Sequence, residues 1–501
     1  PSDSSGCGMM NGVDVFYVHI PFAIFGKSRR NLLSNRRFRA MAGSTLPSRG
    51  LLVVIVGSRV LALALAVAAD VLLPDHQATD VLVWSFDSHC HSAWLLRAFS
   101  RWDSAHMLSC AQDGWREEWQ QAFFPGYPLL VRAAATALTP LSSLLCEQER
   151  LVVGGILSSN LCFVIAACAL HALSSEVFPT RPRLTHKATV LFSLSPASVF
   201  FSSCYSESAF AALTFSGLLL CQRRRLWLGV LTLAAATCFR ANGTLGALFV
   251  LFHGLARAAK QPRATAALAV AIVTFMQCAL VTSPYVAWQQ RAYRRYCVTP
   301  TLMTGEGAHA ETSPSLDSQD GVAAAGGGDL LTPPPWCASR LPDLYAHVQS
   351  THWNVGFLRA YELKQLPNFA LAAPALALCA CATVATCAAR KAEWRAKPAN
   401  GWRQLLLRPS APRADDGPAL TAAADIHVLH WLLLSTLGLF VMNVQVTTRL
   451  VGASCAPYYW YMAHLLSSPV LERRWQRAIV VYVVGYAIGG TMLHVNFLPF
   501  V

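Results

Sequence analysis

"LLVVIVGSRVLALALAVAADVLL", residues 51–73, decides what kind of chain this is. As a helix rising 1.5 Å per residue, the run is long enough to cross a hydrocarbon core about 30 Å thick. Further apolar stretches follow at 124–146, 150–174, 188–203, 205–222, 226–239, 244–255, 264–288, 366–389, 427–448, 456–469 and 478–498. Several are too short for a perpendicular crossing. Of the 501 residues 54% are hydrophobic and only 13% charged, where a soluble domain carries about 25% charged. The composition therefore predicts an all-α polytopic membrane protein. Inside a bilayer the backbone must satisfy its own hydrogen bonds, which helices do and open sheets do not.

The formal net charge of +14 is distributed in short basic clusters between apolar stretches. That pattern fits cytosolic loops and lacks the aromatic interleaving that single-stranded nucleic acid requires, so no nucleic-acid partner is expected. Arg36, Arg37 and Arg39 place the start of the first span in the cytosol. Arg223 to Arg225, the group Arg257, Lys260 and Arg263, the stretch 390–413, and Arg473, Arg474 and Arg477 fall on the same side. The opposite, lumenal side then receives the loop 74–123, the loop 289–365, the turn around Arg449 and the carboxyl terminus. Two hairpins of short helices result, 188–222 with its apex at "SSCYSES" and 226–255 with its apex at "CFRANG". Two apolar stretches separate the first loop from the basic turn Arg181 to Lys187, where parity requires an odd number. Either one of them is not a full crossing or that turn is lumenal.

The chain divides into a basic amino-terminal segment 1–50 with Met41 as a candidate start, a membrane module 51–288, the loop 289–365, and carboxy-terminal helices 366–501 with a cytosolic loop 390–426. Residues 305–335, rich in Gly, Ala, Ser and Pro, are expected to be disordered. Cys297 and Cys337 flank that stretch and either pair, in an oxidising compartment, or remain free. The 16 cysteines show no paired CxxC pattern, so neither zinc nor another metal is expected.

Ionisable groups at membrane depth are costly and mark function. Asp103, in "RWDSAH" of the first loop, is a candidate general base for a hydroxyl nucleophile; its other reading is a capping or solvated loop aspartate. His106 is a neighbour suited to orient or bind a ligand, with no second ligand at metal spacing. Glu207, Arg240 beside Asn242, and Arg449 fall at the same end of the chain's topology and would gather cations around a carboxylate. In "THWNVGFLRAYELKQLPNFALAAP" (351–374), Arg359 and Lys364 are candidates for holding a lipid phosphate. Trp353, Phe357 and Tyr361 there stand at roughly helical spacing, which also fits an interfacial amphipathic helix.

The blocks "RWDSAHMLSCAQDGW…QQAFFPGYPLL", "SLSPASVFFSSCYSESAFAALTFSGLL", "FRANG", "PPWC", "HWNVGFLRAYELKQLPNFALAAP", "VQVTTRLVGAS…YYWYMAHLL" and "HVNFLPF" resemble, in order, GPI mannosyltransferases of the PIG-V type. The resemblance covers about residue 51 to the end, apart from 305–335. It implies a GT-C glycosyltransferase of the endoplasmic reticulum membrane with a lumenal first loop. Such an enzyme takes mannose from dolichol-phosphate mannose and adds it, as the second mannose in α-1,6 linkage, to the glycosylphosphatidylinositol precursor. It uses no cofactor, and an accessory membrane subunit is an open question. The β-linked donor and α product imply inversion by single displacement. On the same resemblance Asp103 is the catalytic base, Trp102 shapes the sugar site, and Glu207 positions sugar or cations. Ala360 and Ser104 depart from the family's usual residues without removing a proposed catalytic group. The alternatives are another lipid-donor mannosyltransferase and a multipass lipid transporter. The concentration of polar groups at one face and the absence of repeated halves count against the transporter.

Overall fold

A computed structural model describes residues 46–76, 83–298, 334–396, 420, 422–498 and 500. The segment 1–45, residues 397–419 and nearly all of the stretch 305–335 expected to be disordered lie outside them.

Among the described residues every regular element is helical. α1 (Arg49–Leu72) starts where the Ser48 hydroxyl accepts the Leu51 N–H and runs 24 residues, about 36 Å. The first loop then forms α2 (Ala93–Leu96) and α3 (Asp103–Asp113). There follow α4 (Gly126–Ala137), α5 (Glu147–Val177), α6 (Pro182–Ser193), α7 (Glu207–Gln222), α8 (Leu226–Thr237), α9 (Gly246–Ala258) and α10 (Ala264–Tyr293). Beyond the second loop come α11 (Leu344–His352), α12 (Leu366–Ala396), α13 (Asp425–Phe440), α14 (Thr447–Ser454), α15 (Ala456–Leu465) and α16 (Arg473–Val495). Five helices are long and apolar enough to cross a membrane: α1, α5, α10, α12 and α16.

The remaining helices are short, and their shortness makes the site. α7 packs between α5 and α8. Its 16 residues reach about 24 Å and the 12 of α8 about 18 Å, less than a hydrocarbon core. Their ends bring Glu207 and Arg240 together. Aromatic rings fill the core beneath, with Phe163 stacked on Phe192 at 4.7 Å and Phe192 edge-on to Tyr459 at 5.2 Å.

Three sequence expectations change. The stretch 124–146 is not a crossing: α4 has 12 residues, about 18 Å, and Cys146 behind it is disulfide-bonded to Cys90 of the first loop. The buried Glu149 carboxylate fastens the same corner by accepting from the Ser92 and Cys146 N–H groups. α5 therefore starts at the loop end of the bundle, and the parity conflict disappears. The run 427–448 breaks at Phe440, because the carbonyls of Phe440 and Val441 are taken by the N–H groups of Leu358 and Gly356. Those donors belong to the segment expected as an interfacial helix. It is irregular between α11 and α12, with Asn354 and Leu358 at positive φ, so Trp353, Phe357 and Tyr361 do not share a helix face. Cys297 and Cys337 form a second disulfide.

A buried arginine of α1 ties down the chain that leads to Glu207. Arg59, buried midway along that apolar helix, has no carboxylate partner among the described residues. Its guanidinium donates to the Ser193 and Ser198 carbonyls and to the Ser198 and Ser202 hydroxyls at 2.8–3.3 Å, and lies over the Phe163 ring. A buried charge is tolerated when its donors are all met. Here it folds the chain from α6 into the turn that delivers Tyr205 and Glu207.

Candidate active site

Four charged side chains from four distant parts of the sequence form one bonded chain. Asp103 opens α3 and Glu207 opens α7, each at the helix end that favours a negative charge. Arg240 precedes the 3-10 turn Ala241–Leu245, and Arg449 lies in α14. Arg449 donates from Nη1 to the Asp103 carboxylate at 2.8 Å and from Nε to Glu207. Glu207 also accepts from Arg240 Nη1 at 2.5 Å, and Arg240 holds the Ser206 hydroxyl at 3.1 Å. The Arg449 guanidinium lies 4.7 Å from the Tyr205 ring centroid and 4.9 Å from that of Phe200, so its charge is also stabilised by ring faces.

Exposure separates the members. The Glu207 side chain is fully buried and that of Arg449 nearly so, whereas 37% of the Asp103 side chain is open. Burial pushes the Asp103 carboxyl up, but Arg449 overrides it, helped by His106 and Arg240, and the pKa ends below the ordinary carboxylate value. Asp103 is thus an ionised carboxylate with an accessible face. Glu207 Oε2 and Asn242 Nδ2 are buried polar atoms with no protein partner, both inside or beside this chain of charges.

His106, one turn along α3, sits edge-on to Trp119 at 4.7 Å and beside Phe123 at 5.0 Å. Burial lowers its pKa against the opposing pull of Asp103, leaving a neutral imidazole suited to a hydroxyl. Trp102 adopts φ 57° and ψ −134°, a conformation costly for a bulky residue. It is held there by its indole N–H on the His494 carbonyl at 2.9 Å and by Phe497. The terminal "HVNFLPF" motif is therefore a wall of the site, with the His494 ring also against Phe200 and Tyr205. "FFPGYPLL" has a related role. The Gly126 N–H donates to the Cys238 carbonyl at 2.8 Å, and a Cβ at 126 would come within 2.6 Å of the Phe239 ring, just before Arg240.

Arg359 and Lys364 lie elsewhere. Arg359 donates to the Ser350 carbonyl at 3.2 Å, and Lys364 pairs with Glu362 at 2.6 Å with 74% of its side chain exposed. Among the described residues neither is bonded to the Asp103–Arg449–Glu207–Arg240 chain. Sequence reading missed Tyr205, Phe200, His494 and Arg59; for the last a signal existed, an arginine in the middle of the first apolar run. It also missed Arg101, buried between Asp70 and Asp75 at the root of the loop. Donor atoms of His89, Cys90 and Cys146 lie within 4.8 Å of one another, but the two sulfurs are joined in a disulfide and offer no thiolate to a metal.

Fold and site define a polytopic, helical membrane protein with a largely buried carboxylate–guanidinium centre. The chain belongs to the mannosyltransferase (PIG-V) family, whose pattern matches residues 48–501. It is 33% identical to the GPI alpha-1,6-mannosyltransferase 2 of Rattus norvegicus, over 89% of this chain and 96% of that protein. The protein of the same name from Homo sapiens is 31% identical over 89% and 97%. The GPI mannosyltransferase 2 of Drosophila melanogaster is 27% identical over 89% and 98%. No solved structure matches the chain significantly.

Proposed function

We propose that the chain transfers the second mannose, in α-1,6 linkage, from dolichol-phosphate mannose to the glycosylphosphatidylinositol precursor on the lumenal side of the endoplasmic reticulum membrane. The names of its relatives support the reaction. Two disulfides in the loops at the site end fit an oxidising lumen. The observation that carries the mechanism is the open Asp103 carboxylate at the head of an otherwise buried charge chain.

Asp103 is the general base. The acceptor's 6-hydroxyl oxygen attacks the anomeric carbon of the donor, the bond from that carbon to the phosphate oxygen breaks, and the hydroxyl proton passes to Asp103. One displacement at a β-linked carbon gives the α product. A carboxylate held by Arg449 is a weak base at rest, so the proton moves as the new bond acidifies the hydroxyl. Pairing keeps Asp103 ionised and fixes the direction of its free oxygen. Arg449 and Arg240 stabilise the leaving dolichyl phosphate; each donates to the protein through only part of its guanidinium. Glu207 between them keeps two cations at close range. His106 hydrogen-bonds a sugar hydroxyl.

Complementation tests this. In cells lacking the second GPI mannosyltransferase, the wild type should clear the accumulated one-mannose intermediate and restore GPI-anchored proteins at the surface. Asp103→Asn, inserted at equal level, should not. Rescue by Asp103→Asn would remove the base, and failure of the wild type would remove the step.

A further inference from the structure

On the His106 side of the charge chain the two loops bring together a cluster of aromatic rings. Its frame is the segment 115–123, which contains the 3-10 turn Trp119–Ala122. Gln120 Oε1 accepts the Arg116 and Glu117 N–H groups at 2.7 and 3.0 Å, and Gln120 Nε2 donates to Ser109 of α3 at 3.4 Å. From α10, Trp288 donates to the Gln121 carbonyl at 2.7 Å and Arg291 to the Gln121 side-chain oxygen at 3.0 Å. α11 of the second loop packs on the turn, and Trp336 donates to Glu118 at 2.5 Å. Asp103, His106 and Ser109 follow at three-residue spacing on α3, each beside the next on the helix surface. The turn is thereby fixed to the helix that carries the base.

The tryptophans here divide by what their indole N–H does. A buried indole N–H usually finds an acceptor. Those of Trp115, Trp288 and Trp336 do, on the Phe123 carbonyl at 2.7 Å, the Gln121 carbonyl and Glu118. Trp119 and Trp353 are partly exposed, and neither indole N–H meets an acceptor among the described residues. The Trp119 ring lies 4.7 Å from His106; Phe123 lies 5.0 Å from His106 and 5.9 Å from Trp353. His106 Nδ1 is itself buried without a partner. Three ring nitrogens are thus unused in one aromatic cluster, whose His106 lies one turn of α3 from Asp103.

We propose that Trp119 and Trp353, with His106, hold a mannopyranose ring while it meets Asp103. This rests on the function proposed above. A pyranose offers C–H groups that pack on aromatic rings and hydroxyls that pair with ring nitrogens. An acyl or prenyl chain would cover the same nitrogens and leave them unpaired, which is costly. A phosphate is matched instead by Arg240 and Arg449. The donor's mannose and the acceptor's first mannose share the pyranose chemistry, and the probes below distinguish them.

Fluorine NMR of the whole chain in nanodiscs tests it. The protein is labelled with 5-fluorotryptophan, and the Trp119 and Trp353 signals are assigned by their loss in Trp119→Phe and Trp353→Phe. A short-chain polyprenyl-phosphate mannose, or a one-mannose glycosylphosphatidylinositol, should shift both signals, and the lipid that does so identifies the mannose bound. The same lipids without mannose should not. No shift from either mannosyl lipid, or an equal shift from its mannose-free counterpart, overturns the proposal. In the transfer assay each Phe variant keeps an aromatic ring and loses one donor. It should raise KM for the substrate that shifted the signals by about three- to ten-fold, the worth of one hydrogen bond. The kcat should hold, as for a contact made equally in ground and transition states. Unchanged KM values, with or without a lower melting temperature, make the two rings structural and overturn the proposal. If the signals shift but the wild type transfers no mannose, the functional reading fails and the sugar site stands; transfer without a shift does the reverse.

Discussion

Arg449→Gln is the perturbation that separates the roles in the charge chain. Opposite charges about 4 Å apart at an effective dielectric of about 20 interact by roughly 4 kcal/mol. More than a third of the Asp103 side chain meets solvent, so screening reduces this to about 1–2 kcal/mol. Because Arg449 holds the Asp103 pKa below its ordinary value, the wild-type base stays ionised well into acid. Its contribution to stability is present above the unfolded carboxylate value and is lost only as pH falls through the lowered one. Removing the guanidinium should therefore move the acid limb of kcat/KM to higher pH. It should also cost roughly 10²–10³ in kcat from lost stabilisation of the leaving phosphate. Glu207 keeps Arg240 at 2.5 Å, so the fold loses less than the 3–5 kcal/mol typical of a fully broken buried pair. Arg449→Lys should keep the acid limb but lose rate, since an ammonium cannot fork between two carboxylates. The assay is transfer of labelled mannose in membranes from neutral pH down to about pH 3, so that a limb below the ordinary carboxylate value of about 3.9 is sampled. An acid limb that stays put in folded Arg449→Gln would refute either the coupling or the role of Asp103.

Gly126→Ala drives a methyl into the Phe239 ring and the Cys238 carbonyl; it should cost about 1–3 kcal/mol, seen as a lower melting temperature in detergent, and reduce kcat through Arg240. Replacing Cys90 and Cys146 by serine releases a 56-residue closure, worth up to roughly 4 kcal/mol on loop entropy. The single and double variants should melt alike, and higher stability of the double variant would contradict a stabilising bond. Lys364→Ala, at an exposed pair with Glu362, should change stability by less than about 1 kcal/mol and leave kcat within a few-fold. A loss of about 100-fold or more would return Lys364 to the leaving phosphate.

Helical class was legible because it depends on local composition: an apolar run of bilayer length has one backbone solution in hydrocarbon. Asp103, an aspartate in a loop, also has a capping or solvated reading, and the resemblance singled it out; charges at membrane depth stand out by their cost. Glu207, Arg240 and Arg449 were legible for the same reason, as charges at the ends of short apolar stretches. Arg59 was equally conspicuous in "VGSRVLAL", but apart from the adjacent Ser58 hydroxyl its acceptors lie more than 130 residues away. Hydropathy also could not tell α4 from a span, since a buried helix and a crossing helix share a composition. Helix length and the Cys90–Cys146 bond separated them. In 351–374 the spacing of aromatics suggested a helix, and hydrogen bonds from Gly356 and Leu358 to the end of α13 outweighed it.

By itself, the sequence determined that the chain is a helical membrane protein and which family it resembles. Each follows from the transfer energy of single residues or from short ordered motifs. Only the tertiary structure decided which cation meets which carboxylate. That Arg449 bridges Asp103 and Glu207, while Arg359 and Lys364 bond elsewhere, depends on where the ends of α3, α7 and α14 meet. Pairing across hundreds of residues is set by where those ends meet, and no local pattern records it.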